Sequence, residues 1–374
     1  AQYKQLLTDF SKLFEQMLAN KVKENHKGVP YISTSPTYGW GHPECCTHGC
    51  SHYWGVWWGE QPFDVWKEKT GRFMSEYGFQ SYPEMATIET FTTEAHRKLG
   101  SPALNNHQKH GRGVEIIRKA MREEFGYTRT DNLEEFAYMS QLVQALGIRR
   151  AIDAHRIQHD RCAGTLCWQL NDCWPVASWS SIDYTGRWKA LHYQFKEAYQ
   201  NVALCVDQQD VYVVNDQMAA VNGEVRWQLF ALDGTPLNER QSVRVKVPAD
   251  QALKVLSLDA GKLHVSPATT YALVQLSLNG SPHAERVVFF TSLGKMKFES
   301  GEIRQELKSF GDHFELTLTS PTFCYGVHVT ETTGKEVKWS DNYFNLLPNV
   351  PKTIYGYYDG KLEDEPMVAV RCLR

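Results

Sequence analysis

The chain has 374 residues, a formal net charge of −3, 42% hydrophobic and 12% aromatic residues, which suffices for about two or three domains, each with its own core. So balanced a charge excludes the basic footprint of a nucleic-acid or anionic-lipid binder, and no uncharged apolar run is long enough for a transmembrane helix. Nine cysteines, an odd number at irregular spacings, do not make a disulfide framework.

Leu6, Leu7, Phe10, Leu13, Phe14, Met17, Leu18 and Val22 recur at helical spacing with Lys4, Asp9, Lys12 and Glu15 between them, so the chain opens on a predicted amphipathic helix and not on a signal peptide. The chain is therefore expected to start inside a domain and to be a fragment of a longer protein. Residues 29–35, 51–56, 73–77 and 164–170 predict short buried strands, with helices over 114–124 and 133–155 between the last two. Strands alternating with helices imply a parallel α/β sheet. Beyond about residue 200 the period becomes two, as in Asp210-Val-Tyr-Val-Val-Asn215 and Tyr271-Ala-Leu-Val-Gln275, with turns such as Asp233-Gly234. A second alternating set, including 314–319, 325–330 and 367–371, follows a junction at 292–297. The pattern predicts two β-sandwiches.

Cys45, Cys46, His48, Cys50 and His52 are zinc-ligand types at short spacing, yet paired Cys-x-x-Cys knuckles are missing. The cysteines are read as structural or incidental and the metal as none, with a zinc-structured interaction module kept as an alternative. His107, His110 and His155 have no Ser or Cys placed as partner for a nucleophilic triad.

The most informative stretch is residues 72–83, RFMSEYGFQSYP. Glu76 ends an apolar strand just before a Tyr-Gly turn, where a barrel enzyme presents its nucleophile. The plain alternative is a strand-end carboxylate paired with Arg or Lys. Residues 162–193, CAGTLCWQLNDCWPVASWSSIDYTGRWKALHY, and the shorter 35–43, SPTYGWGHP, and 51–59, SHYWGVWWG, complete a pattern. Together these segments resemble the nucleophile strand, neighbouring strand ends and last strand with its rim in family-2 glycoside hydrolases, specifically their β-mannosidase branch.

The resemblance implies a multidomain α/β plus all-β chain: the C-terminal half of a TIM (β/α)8 barrel over 1–200, then immunoglobulin-like β-sandwich domains over 201–295 and 296–374. It implies an exo-acting retaining enzyme that removes terminal non-reducing β-D-mannose from β-mannoside oligosaccharides, with no metal or organic cofactor, no nucleic acid and no membrane. Retaining glycosidases need two carboxyl groups about 5–5.5 Å apart. Glu76 matches the nucleophile, whereas the acid/base, which follows Asn in a Gly-Asn-Asn-Glu-like motif upstream of it, is absent. Asn238-Glu239 is a loop pair and is rejected for that role. The isolated chain is therefore expected to be inactive.

Tyr53 is expected to hydrogen-bond Glu76, with His52 less favoured. Trp40 and Trp168 are expected to wall the sugar subsite, Tyr53 and Trp54, at the end of the strand before Glu76, to be substrate-binding with core packing explaining one of the two as well, and Asp172 with Asn171 to meet sugar hydroxyls or cap the next turn. Trp57, Trp66 and Trp188 are assigned to the core. A half barrel leaves open strand edges and apolar side chains, so self-association is expected. The alternatives are a non-catalytic carbohydrate-binding or scaffold fragment, or another family-2 glycosidase such as a β-galactosidase or β-glucuronidase. The compartment stays open, with bacterial periplasm or cytoplasm placed ahead of lysosome.

Overall fold

The computed structural model describes residues 2–129, 131–358 and 366–373. Three short parallel strands, Tyr38–Gly39, Ser51–His52 and Met74–Glu76, pair in chain order, and Thr165 joins through a parallel bridge to Met74. Backbone bonds lengthen that last edge: Leu166 N–H donates to Met74 O and Trp168 N–H to Tyr77 O, both at 2.8 Å.

Residues 29–35, predicted as a strand, form none. A strand persists only where a neighbour takes its N–H and C=O groups, and the first parallel pairing comes later, at Tyr38. Here the stretch is held by the Tyr31 hydroxyl donating to Phe14 O at 2.6 Å, while Val29 and Ile32 stay exposed. The strand predicted over 51–56 ends at His52, because the chain turns from Gly55 onward.

Between the third and fourth strand positions lie helices Gly113–Phe125 and Leu133–Ile157. The second begins where the Asn132 side chain accepts from Glu135 N–H, places Glu134 and Glu135 in its first turn, and ends with His155 and Arg156, each favourable to the helix dipole. The first ends at Gly126, φ +61°, a left-handed cap that suits glycine. That cap lies against the turn Leu293–Lys295: a Cβ on Gly294 would come within 2.4 Å of Gly126 N. The opening helical segment runs as Gln2–Phe10, a π-helical Ser11–Met17 and Leu18–Asn25, and buries none of its described residues.

Two antiparallel sandwiches follow. The first packs a four-stranded sheet, Ser281–Phe289, Thr270–Leu278, Val221–Ala231 and Gln241–Val247 in spatial order, against Val202–Asp207, Asp210–Asn215 and Gln251–Ser257. Val211, Val213, Val225, Val274 and Leu276 fill the space between. The second packs Arg304–Ser309, His313–Thr319, Lys352–Tyr357 and Lys338–Trp339 against Phe344–Leu346, Cys324–Glu331 and Val368–Leu373, over Phe314, Leu316, Val327, Val329 and Ile354. Both follow the period-two pattern of the sequence because each strand buries alternate side chains.

Polar joints fasten the sandwiches to the helices. Asp153 accepts from Arg149 at 2.9 Å and from Arg286, on the first sandwich, at 3.0 Å. Glu84 meets His328 and Tyr343 of the second at 3.1 and 3.2 Å. A cavity of about 900 Å³ lies along the first of these joints. Arg149, Asp153 and Arg286 line it, whereas Glu76 and Trp168 do not, so it is a gap between packed units, away from the predicted chemistry.

Candidate active site

Glu76 closes the third strand of the parallel set, flanked by Ser51–His52 and the Thr165 bridge, and its position is dictated from both sides. His52 is its register partner on one neighbour, Tyr53 N–H donates to Glu76 O at 3.0 Å, and the opposite edge is tied through Tyr77 O to Trp168 N–H. Gly78 permits the tight approach on that edge: a Cβ there would come within 2.2 Å of Trp168 O.

Two donors meet the Glu76 side chain. Trp54 Nε1–H donates to Oε2 at 3.3 Å and His52 Nδ1 lies 3.1 Å from the same oxygen. A carboxylate only accepts, so Nδ1 carries the ring proton, and Nε2 then accepts from the Ser35 hydroxyl 3.0 Å away. Burial holds His52 below the ordinary imidazole range, against the opposing pull of Glu76. A carboxylate held by two N–H donors, with its side chain 24% exposed, is oriented and open to a ligand. Such a group can attack an electrophilic carbon.

Exposed indoles stand in the same region of the sequence pattern: Trp40, Trp58 and Trp168 are 39, 45 and 42% exposed. Trp179, nearly buried, packs edge-on to Trp54 with centroids 6.0 Å apart and leans on Trp58 at 6.3 Å. This aromatic cluster joins the carboxylate to the rim.

Family models agree with the two sandwiches: a Mannosidase Ig/CBM-like domain matches residues 207–293 and an Ig-fold domain matches 298–370. The chain is 30% identical over 286 residues to β-mannosidase B of Thermothelomyces thermophilus, covering 72% of this chain and 32% of that protein. It is 35% identical over 211 residues to β-mannosidase B of Aspergillus fumigatus, covering 54% and 24%. The crystal structure of β-D-mannosidase from Dictyoglomus thermophilum superposes with a TM-score of 0.84 at 25% identity, over 97% of this chain and 45% of that one. The chain belongs to the β-mannosidase branch of the family-2 glycoside hydrolases. It spans about a third or less of the length of these curated relatives. The exo-chitosanase of Amycolatopsis orientalis shares the fold, with a TM-score of 0.66 at 19% identity over 83% of this chain and 44% of that one.

Within this β-mannosidase-branch chain, several predicted contacts fall differently. Tyr53 does not reach Glu76: it is 4% exposed and its hydroxyl donates to Gln61 Oε1 at 2.5 Å. Adjacent strand residues point to opposite faces, so His52 and Trp54 face the carboxylate and Tyr53 faces the core. Asp172 is nearly buried and its Oδ2 accepts from Ser178 and Ser180 at 2.6 and 2.5 Å. It fastens the rim loop from below and does not present its carboxylate to a sugar. Lys189 stands behind it, pushed down to about 8 by burial against the pull of Asp172 and Asp183, with its ammonium on Ser81 O and Ser178 O.

Trp57 and Trp66 are core as expected, whereas Trp188 is 37% exposed and packs on His192 and Tyr193. Trp58 and Trp179 stand among the nine tryptophans before residue 190, and neither received an individual role from the sequence. Within the adjacent Trp57-Trp58 pair one indole is wholly buried and the other 45% exposed. His155 is buried on Tyr77 and Trp66, pushed down to about 3 by burial, and bonds Thr165 Oγ1. His107 stacks on Phe91, and His110 packs on Trp57 and Trp58. Among the described residues no group of three or more His, Cys, Asp and Glu side chains is placed to hold a metal ion. Cys45 and Cys46 lie with sulfurs 3.6 Å apart, and Cys50 meets Ser35.

Proposed function

We propose that this chain is the nucleophile-bearing part of an exo-acting retaining β-mannosidase. The observation that carries the reading is Glu76 at the carboxyl end of a parallel strand, gripped through Oε2 by His52 and Trp54. The parallel pairing in chain order supports residues 1–200 as the last four strands of a (β/α)8 barrel, with sandwich domains over 201–295 and 296–374.

In the proposed reaction Glu76 attacks the anomeric carbon of a terminal β-D-mannoside. The bond to the leaving oxygen breaks as a covalent glycosyl ester forms, and water then releases mannose with retained configuration. The two N–H donors keep the carboxylate aimed. Trp40, Trp54 and Trp168 supply ring faces for the sugar, while Tyr53 and Asp172 act indirectly, one by packing and one by holding the rim loop. Proton donation to the leaving group falls to a carboxyl group outside this chain, so the chain alone is inactive. The reading uses no cofactor.

The deciding experiment is hydrolysis of an aryl β-mannoside by the longer protein that contains this sequence. Robust mannose release that disappears in Glu76→Ala, with azide restoring cleavage to an inverted glycosyl azide, supports the assignment. Equal turnover of the aryl β-galactoside or β-glucuronide would move the substrate to another sugar. Efficient turnover by the 374-residue chain itself would place the acid/base within it.

A further inference from the structure

The second sandwich carries a surface that the proposed reaction does not use. Strands His313–Thr319 and Lys352–Tyr357 run antiparallel with His313 opposite Tyr357, Glu315 opposite Tyr355 and Thr317 opposite Thr353. Alternation sends Phe314, Leu316, Leu318 and Ile354 into the core and these six residues to the outer face.

The outer rings form a chain of neighbours, three of the contacts near parallel and the fourth, His313 with Tyr355 at 6.4 Å, tilted by 47°. Phe310 and His313 lie 5.1 Å apart with planes 12° from parallel, His313 and Tyr357 lie 6.0 Å apart at 28°, and Tyr355 and Tyr357 lie 6.5 Å apart at 27°. Phe310, Tyr355 and Tyr357 are 52, 37 and 47% exposed. Folding does not require them there, since the strands are already fixed by the core beneath.

Their surroundings are polar and electrically balanced. Thr317 and Thr353 hydroxyls touch at 2.8 Å, and Asp312 meets the His313 ring at 2.7 Å. Among the described residues at this face, Arg304, Lys308 and Lys338 are matched by Glu306, Asp312 and Glu315. A polyanion asks for an excess of cations, and a protein partner asks for a desolvated apolar centre. A sheet of aromatic rings with hydroxyls and carboxylates beside them, carrying no net charge, complements an uncharged polyol with apolar C–H faces.

We propose that this face binds a neutral oligosaccharide, and specifically a β-linked mannan chain, with Tyr355, Tyr357 and His313 against pyranose faces and Glu315, Thr317 and Thr353 on hydroxyls. The choice of mannose rests on the function proposed above; the choice of a neutral sugar rests on the face alone.

The test is calorimetric titration of the chain with a β-1,4-linked mannohexaose. Tyr355→Ala with Tyr357→Ala weakens binding about tenfold or more while the thermal midpoint holds. Glu76→Ala and Trp168→Ala leave this component unchanged, which separates it from the candidate active site and keeps its failure distinct from failure of the catalytic reading. Should the double variant unfold, His313→Ala and Phe310→Ser read the same surface, and each weakens binding. Equal binding of cellohexaose would keep the sugar face and overturn mannan as its ligand. No binding up to about 1 mM, or unchanged binding in all three face variants, would overturn the proposal. So would a dimer of the chain that dissociates in the double variant and binds no sugar, since the face would then serve self-association.

Discussion

Two helical segments of this chain carry apolar stripes and meet opposite fates. In Leu133–Ile157, Phe136, Val143, Ile148 and Ile152 are wholly buried, because the parallel strand ends lie on one side and the sandwiches on the other. In the opening segment, Tyr3, Leu6, Leu7, Leu13 and Met17 stand 43–72% exposed. Periodicity says which face seeks cover; it does not say what provides it. Each uncovered leucine forgoes about 1.5–3 kcal/mol, so the two helices separate a self-sufficient packing unit from a surface that asks for a partner. Glu76 lies between them in the sequence, at the end of a parallel strand.

The largest effect belongs to chemistry at that strand. In the longer protein, Glu76→Ala should lower kcat by more than about 10³-fold with an unchanged thermal midpoint, because a strand-end carboxylate that is 24% exposed and held only by two N–H contacts carries little packing. A residual rate above about a tenth of wild type would mean that Glu76 is a structural ion-pair partner of His52. Next comes the buried helix. Phe136→Ala should cost about 3–5 kcal/mol in denaturant unfolding, since Tyr82 and the Arg118 guanidinium pack on its ring. A loss under about 1 kcal/mol would show that this core collapses around the cavity.

Long regular elements were legible because their physics is local. The 133–155 helix and the sandwich strands follow from periodicity alone, and the turn at Asp233-Gly234 from its residues. The site was legible in part: strand-end Glu76 stood out, yet Tyr53 and Trp54 could not be ranked without knowing which face of a two-residue strand looks outward. Asp172 stayed open between sugar contact and turn cap because its partners Ser178 and Ser180 lie across a loop whose fold no spacing reveals. The stretch 29–35 reads as a strand in composition and lacks one for want of a neighbour, which is tertiary information.

The third effect tests the joint between the helical part and the second sandwich. Burial pushes the Glu84 carboxyl up, but hydrogen bonds from His328 and Tyr343 and the charges of His328 and Arg187 bring it below its usual value of 4.5. A depressed carboxylate pKa stabilises the fold fully above the unfolded value, and that contribution fades as pH falls through the folded one. Glu84→Gln should therefore cost about 2 kcal/mol at neutral pH and flatten the acid limb below about pH 4.5. An unchanged acid limb would assign that pH dependence to other carboxylates.

The smallest effect on stability is the most direct test of the uncovered helix. Leu6 and Leu13 lie seven residues apart on one face, 62 and 43% exposed, so replacing both with Lys should move the thermal midpoint of the chain within the scatter of surface changes, about 0.5 kcal/mol. Association should respond far more. If that stripe and the open parallel edge drive copies together, light scattering shows a dimer or larger species for the parent chain and a shift toward monomer for Leu6→Lys with Leu13→Lys. A parent chain that stays monomeric at micromolar concentration and unfolds cooperatively would show that water alone is an adequate neighbour for this helix. A double variant that lost several kcal/mol instead would mean that Leu6 and Leu13 are buried in the chain's own fold, and the contrast with Leu133–Ile157 would fall.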